Sequence, residues 1–85
     1  MSTIIYTSNH CPYCVKAKRL LDQLGVSYQE INIEQVPEQR SIMLEKSNGQ
    51  RTVPQIFIGE RHIGGCDDLY ALYQSGKLSN ILTGE

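Results

Sequence analysis

No stretch of the 85 residues approaches the roughly 18 consecutive apolar positions that a membrane-spanning helix needs, so no membrane association is expected. Charge of one sign is also lacking. Eight Lys and Arg stand against nine Asp and Glu, the formal net charge is -1, and no basic run occurs, which excludes the electrostatic footprint of a nucleic-acid binder. Partners should therefore be proteins or small molecules. Cysteine is scarce and odd in number: three residues cannot pair completely, whereas a secreted domain held by disulfides shows an even and denser set. Met1 to Tyr6 runs straight into a strand-like segment without a basic leader or cleavage site, so a cytoplasmic, reducing location is expected. Linkers, repeats and low-complexity segments are missing too, and residues 1–85 are expected to form one monomeric domain. At this length a fold buries only about 60 to 65% of the surface of its unfolded chain, enough for one modest core.

What is present is a succession of short periodic segments. Thr3–Thr7 is a β-branched and aromatic run that reads as a strand. After the polar Ser8-Asn9-His10, a helix opens with Pro12 in its first turn, where no N–H is needed, and closes at Gly25. Ala17, Leu20, Leu21 and Leu24 make its apolar stripe, with Lys16, Lys18 and Arg19 pointing away. Tyr28 to Ile33 alternates as a second strand with Ile31 and Ile33 on one face, and the intervening helix implies a parallel crossover. Pro37 to Ser47 is expected to be helical, although Ile42, Met43 and Leu44 are consecutive rather than spaced. Val53 to Ile58 and Arg61 to Ile63 flank Gly59-Glu60 as an antiparallel hairpin, and Gly64-Gly65 then breaks the chain. A third helix starts near Cys66, carries Asp67 and Asp68 in its first turn, places Leu69, Leu72 and Tyr73 on one side and stops at Gly76; Leu78 to Leu82 adds a short turn. The order βαβαββα predicts an α/β fold with a mixed four-stranded sheet flanked by helices.

The chemistry concentrates in Cys11-Pro12-Tyr13-Cys14. Disulfide exchange requires a thiolate, and an ordinary cysteine with a pKa of about 8.5 is only a few per cent ionised at neutral pH. Cys11 falls at the N-cap of the first helix, where unpaired amides and the positive dipole end favour an anion. In good geometry the dipole contributes about 2 kcal/mol, which alone would bring the Cys11 pKa to about 7. Cys14 lies one turn on along the same face, within disulfide reach. The exposed tip suits Cys11 as nucleophile, and the position inside the first turn suits Cys14 as resolving thiol. A zinc site is a second reading of the same residues, with His62 and Cys66 spaced H-x3-C to complete the set. Against it, C-x-x-C here continues into a helix beside a βαβ pattern, which favours redox work and an absence of metal. His10 could activate a thiol, but a solvated loop residue is the simpler reading.

Three elements together, Cys11-Pro12-Tyr13-Cys14, Thr52-Val53-Pro54 and Gly64-Gly65-Cys66-Asp67, resemble a dithiol glutaredoxin over nearly the whole chain. The resemblance implies a thioredoxin-like fold with a cis bond before Pro54, where X-Pro costs little in cis and a strand start tolerates a missing donor. It implies glutathione as co-substrate, with no tightly bound cofactor. The bend at Pro54 would set the Val53 backbone to pair with the cysteine part of glutathione as an added strand, Thr52 and Val53 both binding mainly through backbone. Gly65, the Cys66 N–H and the Asp67 side chain would hold the γ-glutamyl end, and Tyr13 would lie beside the bound peptide. For Asp67 a plain helix cap, and for the Cys66 thiol a small side chain in a tight place, are the alternative readings.

One position departs from the family pattern. Many glutaredoxins carry Lys three residues before the nucleophile, and this chain has Ser8. Arg40, on the inner edge of the second helix, or Arg51 is expected to take over the glycine carboxylate of glutathione. The expected activity is glutathione-dependent reduction of protein disulfides and of glutathionylated proteins. One rival is iron-sulfur cluster binding between two chains, against which Pro12 argues, since cluster-binding relatives more often have Gly or Ser there. Another is a thioredoxin-type reductant, disfavoured by the short chain, the Pro-Tyr pair and the lack of Trp.

Overall fold

Strand β1 (Thr3–Thr7) is paired on both edges, which explains why its β-branched and aromatic side chains bury almost completely. The computed structural model describes residues 2–84; Met1 and Glu85, the ends of the expected 1–85 domain, lie outside the described residues. On one edge β1 pairs in parallel with β2 (Gln29–Asn32), across the helix α1 (Pro12–Gln23). On the other it pairs antiparallel with β3 (Gln55–Ile58), which forms a hairpin with β4 (Arg61–Gly64). The sheet order is β2-β1-β3-β4, the mixed four-stranded sheet expected from the sequence.

Side chains alternate across the sheet, and the two faces carry separate cores. Ile5, Ile56 and Ile58 pack with Ala17, Leu20 and Leu21 of α1 and with Cys66 and Leu69 of α3 (Cys66–Gln74). Tyr6 and Phe57, one residue out of phase, point to the opposite face and pack with Ile33 and with Met43 of α2 (Gln39–Lys46). Helices thus cover both faces, the arrangement of a thioredoxin-like α/β fold.

Several boundaries and faces differ from the sequence reading. Leu24, assigned to the buried stripe of α1, is 37% exposed: it caps the helix, its N–H bonding the Leu20 carbonyl, before Gly25 turns the chain at φ 71°. Buried Cys14 takes the vacant place one turn upstream, so the stripe runs Cys14, Ala17, Leu20, Leu21. Lys18, expected to point away, is half-buried and pairs with Glu30 of β2 at 3.1 Å. The second strand begins at Gln29 rather than Tyr28 and ends at Asn32, and α2 is shorter than Pro37–Ser47, burying only Met43 of its apolar trio fully while Ile42 is exposed. Strand β3 begins at Gln55 because Pro54 has no N–H to give the ladder, and the Val53–Pro54 bond is cis. The chain breaks at Gly64-Gly65 as expected, but β4 runs one residue further than Ile63 and ends on Gly64 at φ 112°, where the Asp68 carboxylate occupies the space a Cβ would need. Tyr73 is exposed rather than packed with Leu69; a fourth helix, α4 (Leu78–Thr83), stands where a turn was expected and sends Leu78 and Ile81 into the core beneath α3.

Candidate functional site

The loop after β1 delivers Cys11 to the N-cap of α1 in extended conformation, with φ -112° and ψ 97°. Preceding it, His10 adopts the left-handed region at φ 53° and its side chain stands in solvent. Pro12 follows at the first helical position, and the Cys14 N–H donates to the Cys11 sulfur at 3.1 Å. This bond and the open first turn supply the anion-stabilising environment that the N-cap position implies. Cys11 and Cys14 are joined by a disulfide, their Cα atoms 5.2 Å apart. Cys14 is 2% exposed, whereas Cys11 is only half-buried, so an incoming sulfur meets Cys11 first.

Beside Cys11 the turn before β3 comes close: the Val53 carbonyl oxygen lies 3.8 Å from the Cys11 sulfur. There begins a groove of about 370 Å³ bounded by Tyr13, Thr52, Val53 and Pro54 on one side and Gly65, Cys66 and Asp67 on the other. Tyr13 overhangs it, 61% exposed. At the far wall Gly65 is the N-cap of α3; having no side chain, it leaves the first-turn amides uncapped, while its own N–H donates to the Asp68 carboxylate at 2.9 Å. An open helix N-terminus with Asp67 exposed beside it offers both donors for a carboxylate and an acceptor for an ammonium. The Cys66 side chain turns the other way, into the core, 4% exposed. Burial pushes its pKa up, Lys16 opposes this and Asp67 adds to it, so the thiol stays protonated.

A half-buried cysteine at a helix N-terminus lies beside the Val53 carbonyl, which borders a groove reaching a second open helix end, and the sequence relations of the chain agree with this arrangement. The glutaredoxin family model matches residues 3–63. The chain belongs to the glutaredoxin family. A glutaredoxin of Pseudomonas aeruginosa is 52% identical over 80 residues, covering 94% of each chain. The solution structure of a Brucella melitensis glutaredoxin superposes with a TM-score of 0.82 at 51% identity, covering all of this chain and 92% of that one. The crystal structure of a buckwheat glutaredoxin–glutathione complex gives 0.86 at 40% identity, over 96% of this chain and 76% of that one. With the family's C-x-x-C pair in disulfide contact, the chain is a thiol-disulfide oxidoreductase.

Seven of the residues expected to meet a glutaredoxin substrate, Tyr13, Thr52, Val53, Pro54, Gly65, Cys66 and Asp67, line this one groove. Arg40, the eighth, does not: it is exposed on α2, whose inward side is taken by Met43, and the groove wall nearest in sequence is made by Gln50. Arg51 is exposed between the two lining residues Gln50 and Thr52. The zinc reading loses its ligands, since the Cys66 thiol is in the core and the His62 Nε2 sits 2.6 Å from the Gln55 Oε1. Sequence reasoning missed Gln50, Gln55, His62, Ile63, Gly64 and Asp68 as lining residues. Gln55 carried a readable signal, being a polar residue opening the apolar run Gln55-Ile56-Phe57-Ile58 that the sheet buries throughout.

Proposed function

We propose that this glutaredoxin is a glutathione-disulfide oxidoreductase that reduces glutathione mixed disulfides and protein disulfides in the cytoplasm, acting as a monomer. The observation that carries the reading is the groove that runs from Val53, whose carbonyl lies 3.8 Å from the Cys11 sulfur, to the uncapped start of α3, a length of polar backbone suited to a γ-glutamyl peptide. The glutathione complex of the buckwheat relative supports it. Reduced Cys11 attacks the glutathione sulfur of a mixed disulfide in line; the Cys11–glutathione bond forms, the substrate's S–S bond breaks, and the substrate leaves as thiolate and takes a proton. The thiolate of a second glutathione then attacks the bound glutathione sulfur, releasing oxidised glutathione and the Cys11 thiolate. With a protein disulfide, Cys11 forms the mixed disulfide and the Cys14 thiolate displaces the protein, leaving Cys11–Cys14 to be reduced by two glutathiones. The Val53 N–H and C=O hold the cysteine part of the peptide, and the Cys66 N–H and Asp67 carboxylate hold its γ-glutamyl end.

Glutathione-coupled reduction of a small mixed disulfide tests this. Cys11→Ser is expected to be inactive and Cys14→Ser to keep substantial activity, because only the protein-disulfide route needs a resolving thiol. An active Cys11→Ser protein would overturn the assignment. For the glycine carboxylate, Arg51 is the better placed cation and Arg40 the alternative; Arg51→Gln should raise the Michaelis constant for glutathione several-fold, and no change in either Arg51→Gln or Arg40→Gln would refute a role for these arginines.

A further inference from the structure

The turn that presents Val53 is held by a side-chain chain that starts outside it. Gln55 is buried, and its Nε2 donates to the Thr52 carbonyl at 3.0 Å and the Thr52 hydroxyl at 3.3 Å, reaching back across Val53 and Pro54. Because a carbonyl can only accept, the atom facing Thr52 is the amide nitrogen, which leaves Oε1 turned toward β4. The His62 Nε2 meets it there at 2.6 Å, so His62 must be the donor. Sheet geometry makes the meeting possible: Phe57 pairs with His62 across the hairpin, Gln55 lies on the same face two residues away, and the diagonal neighbour is within reach of a long side chain. The His62 ring is fixed in turn by stacking on Phe57, centroids 4.8 Å apart with 25° between planes. His62 is otherwise exposed, and it lines the groove without being one of the residues assigned to the peptide.

We infer that His62 is a positioning residue for substrate binding: its Nε2–H orients the Gln55 amide, which clamps Thr52 and so fixes the Val53 backbone edge beside Cys11. The inference rests on the reading of the groove as the glutathione site. It acts on binding and leaves the sulfur chemistry alone, which separates it from a general structural role.

His62→Phe keeps a ring on Phe57 but cannot donate, whereas His62→Gln restores a donor without an imidazole. With a glutathionylated peptide as substrate, His62→Phe should raise the Michaelis constant about two- to tenfold, the cost of one oriented hydrogen bond, with kcat unchanged. His62→Gln should return within about twofold of wild type, well inside the effect of that bond. Gln55→Leu should match His62→Phe, and combining them should add nothing further, since both break one chain. A wild-type Michaelis constant in His62→Phe, or effects that multiply in the double variant, would overturn the inference. A wild-type protein that fails to turn over with glutathione would instead overturn the reading of the groove. The relay is then read from the Val53 amide resonance in solution, which should shift in His62→Phe and return in His62→Gln; an unmoved resonance refutes it.

Discussion

Cys11 and Cys66 both stand at the start of a helix, one as N-cap of α1 and the other as first residue of α3, and yet only the first is placed for chemistry. The difference lies in the direction of the side chain. From the N-cap, the Cys11 sulfur folds over the first turn and accepts the Cys14 N–H, whereas one position later the Cys66 side chain points back along the helix into the core beside Leu69. Position relative to the cap thus decides whether the helix end acts on the sulfur. Burial keeps the Cys66 thiol protonated above the ordinary thiol pKa of about 8.5, so it supplies no thiolate near neutrality. With the protein reduced and treated with iodoacetamide at neutral pH, mass spectrometry should find Cys11 alkylated first and Cys66 unmodified until denaturant is added. Rapid labelling of Cys66 in the folded protein would contradict its placement.

Between elements, the α1–β2 crossover is fastened by a polar cluster on its outer side. The Thr7 hydroxyl donates to Glu30 Oε2 at 2.8 Å, and Lys18 of α1 donates to both carboxylate oxygens. Partial burial works against the Glu30 charge, but the bonds from Thr7 and Lys18 together with the Lys18 charge outweigh it and hold the carboxyl below its usual value. Since the folded pKa is the lower one, the contribution is complete above the unfolded value of about 4.3 and is lost as pH falls through the folded value. Glu30→Gln should therefore lower the melting temperature at pH 7, and the gap from wild type should narrow as pH falls below about 4.3; a gap independent of pH would refute the charge argument. This cluster was not legible in the sequence, which treated Lys18 as a solvent-facing charge, because helical spacing tells which residues share a face but not what a neighbouring strand places opposite them. Elements with clean periods, β1, α1 and the β3–β4 hairpin, were legible almost to their ends. Helix α2 was less so, since three consecutive apolar residues fit no helical face and the sheet takes only Met43 fully. The relay from His62 through Gln55 to Thr52 depends on the pairing register of β4 with β3, which no local pattern reveals.

At the scale of the molecule, the groove exists because three chain segments far apart in sequence arrive at one end of the sheet: the start of α1, the turn before β3 and the start of α3. Their registration depends on how α1 and α3 seat against the shared core, and α4 is the last piece of that core to be added. Its Leu78 is 2% exposed and packs in the cluster that includes Leu20, Leu21 and Leu69. A protein of this length has a total stability of about 4 to 13 kcal/mol, so the loss of about 2 to 5 kcal/mol expected for a buried Leu→Ala substitution is a large share. Leu78→Ala should lower the melting temperature by about 8 to 40 °C, since each kcal/mol is worth about 4 to 8 °C in a domain of this size. At 20 °C, with folding checked by circular dichroism, its turnover per folded molecule should equal that of wild type, because α4 contributes no residue to the groove. A fall of less than about 4 °C would mean that α4 is dispensable to the core; lost turnover in a protein still folded at 20 °C would mean that α4 reaches the site through α3.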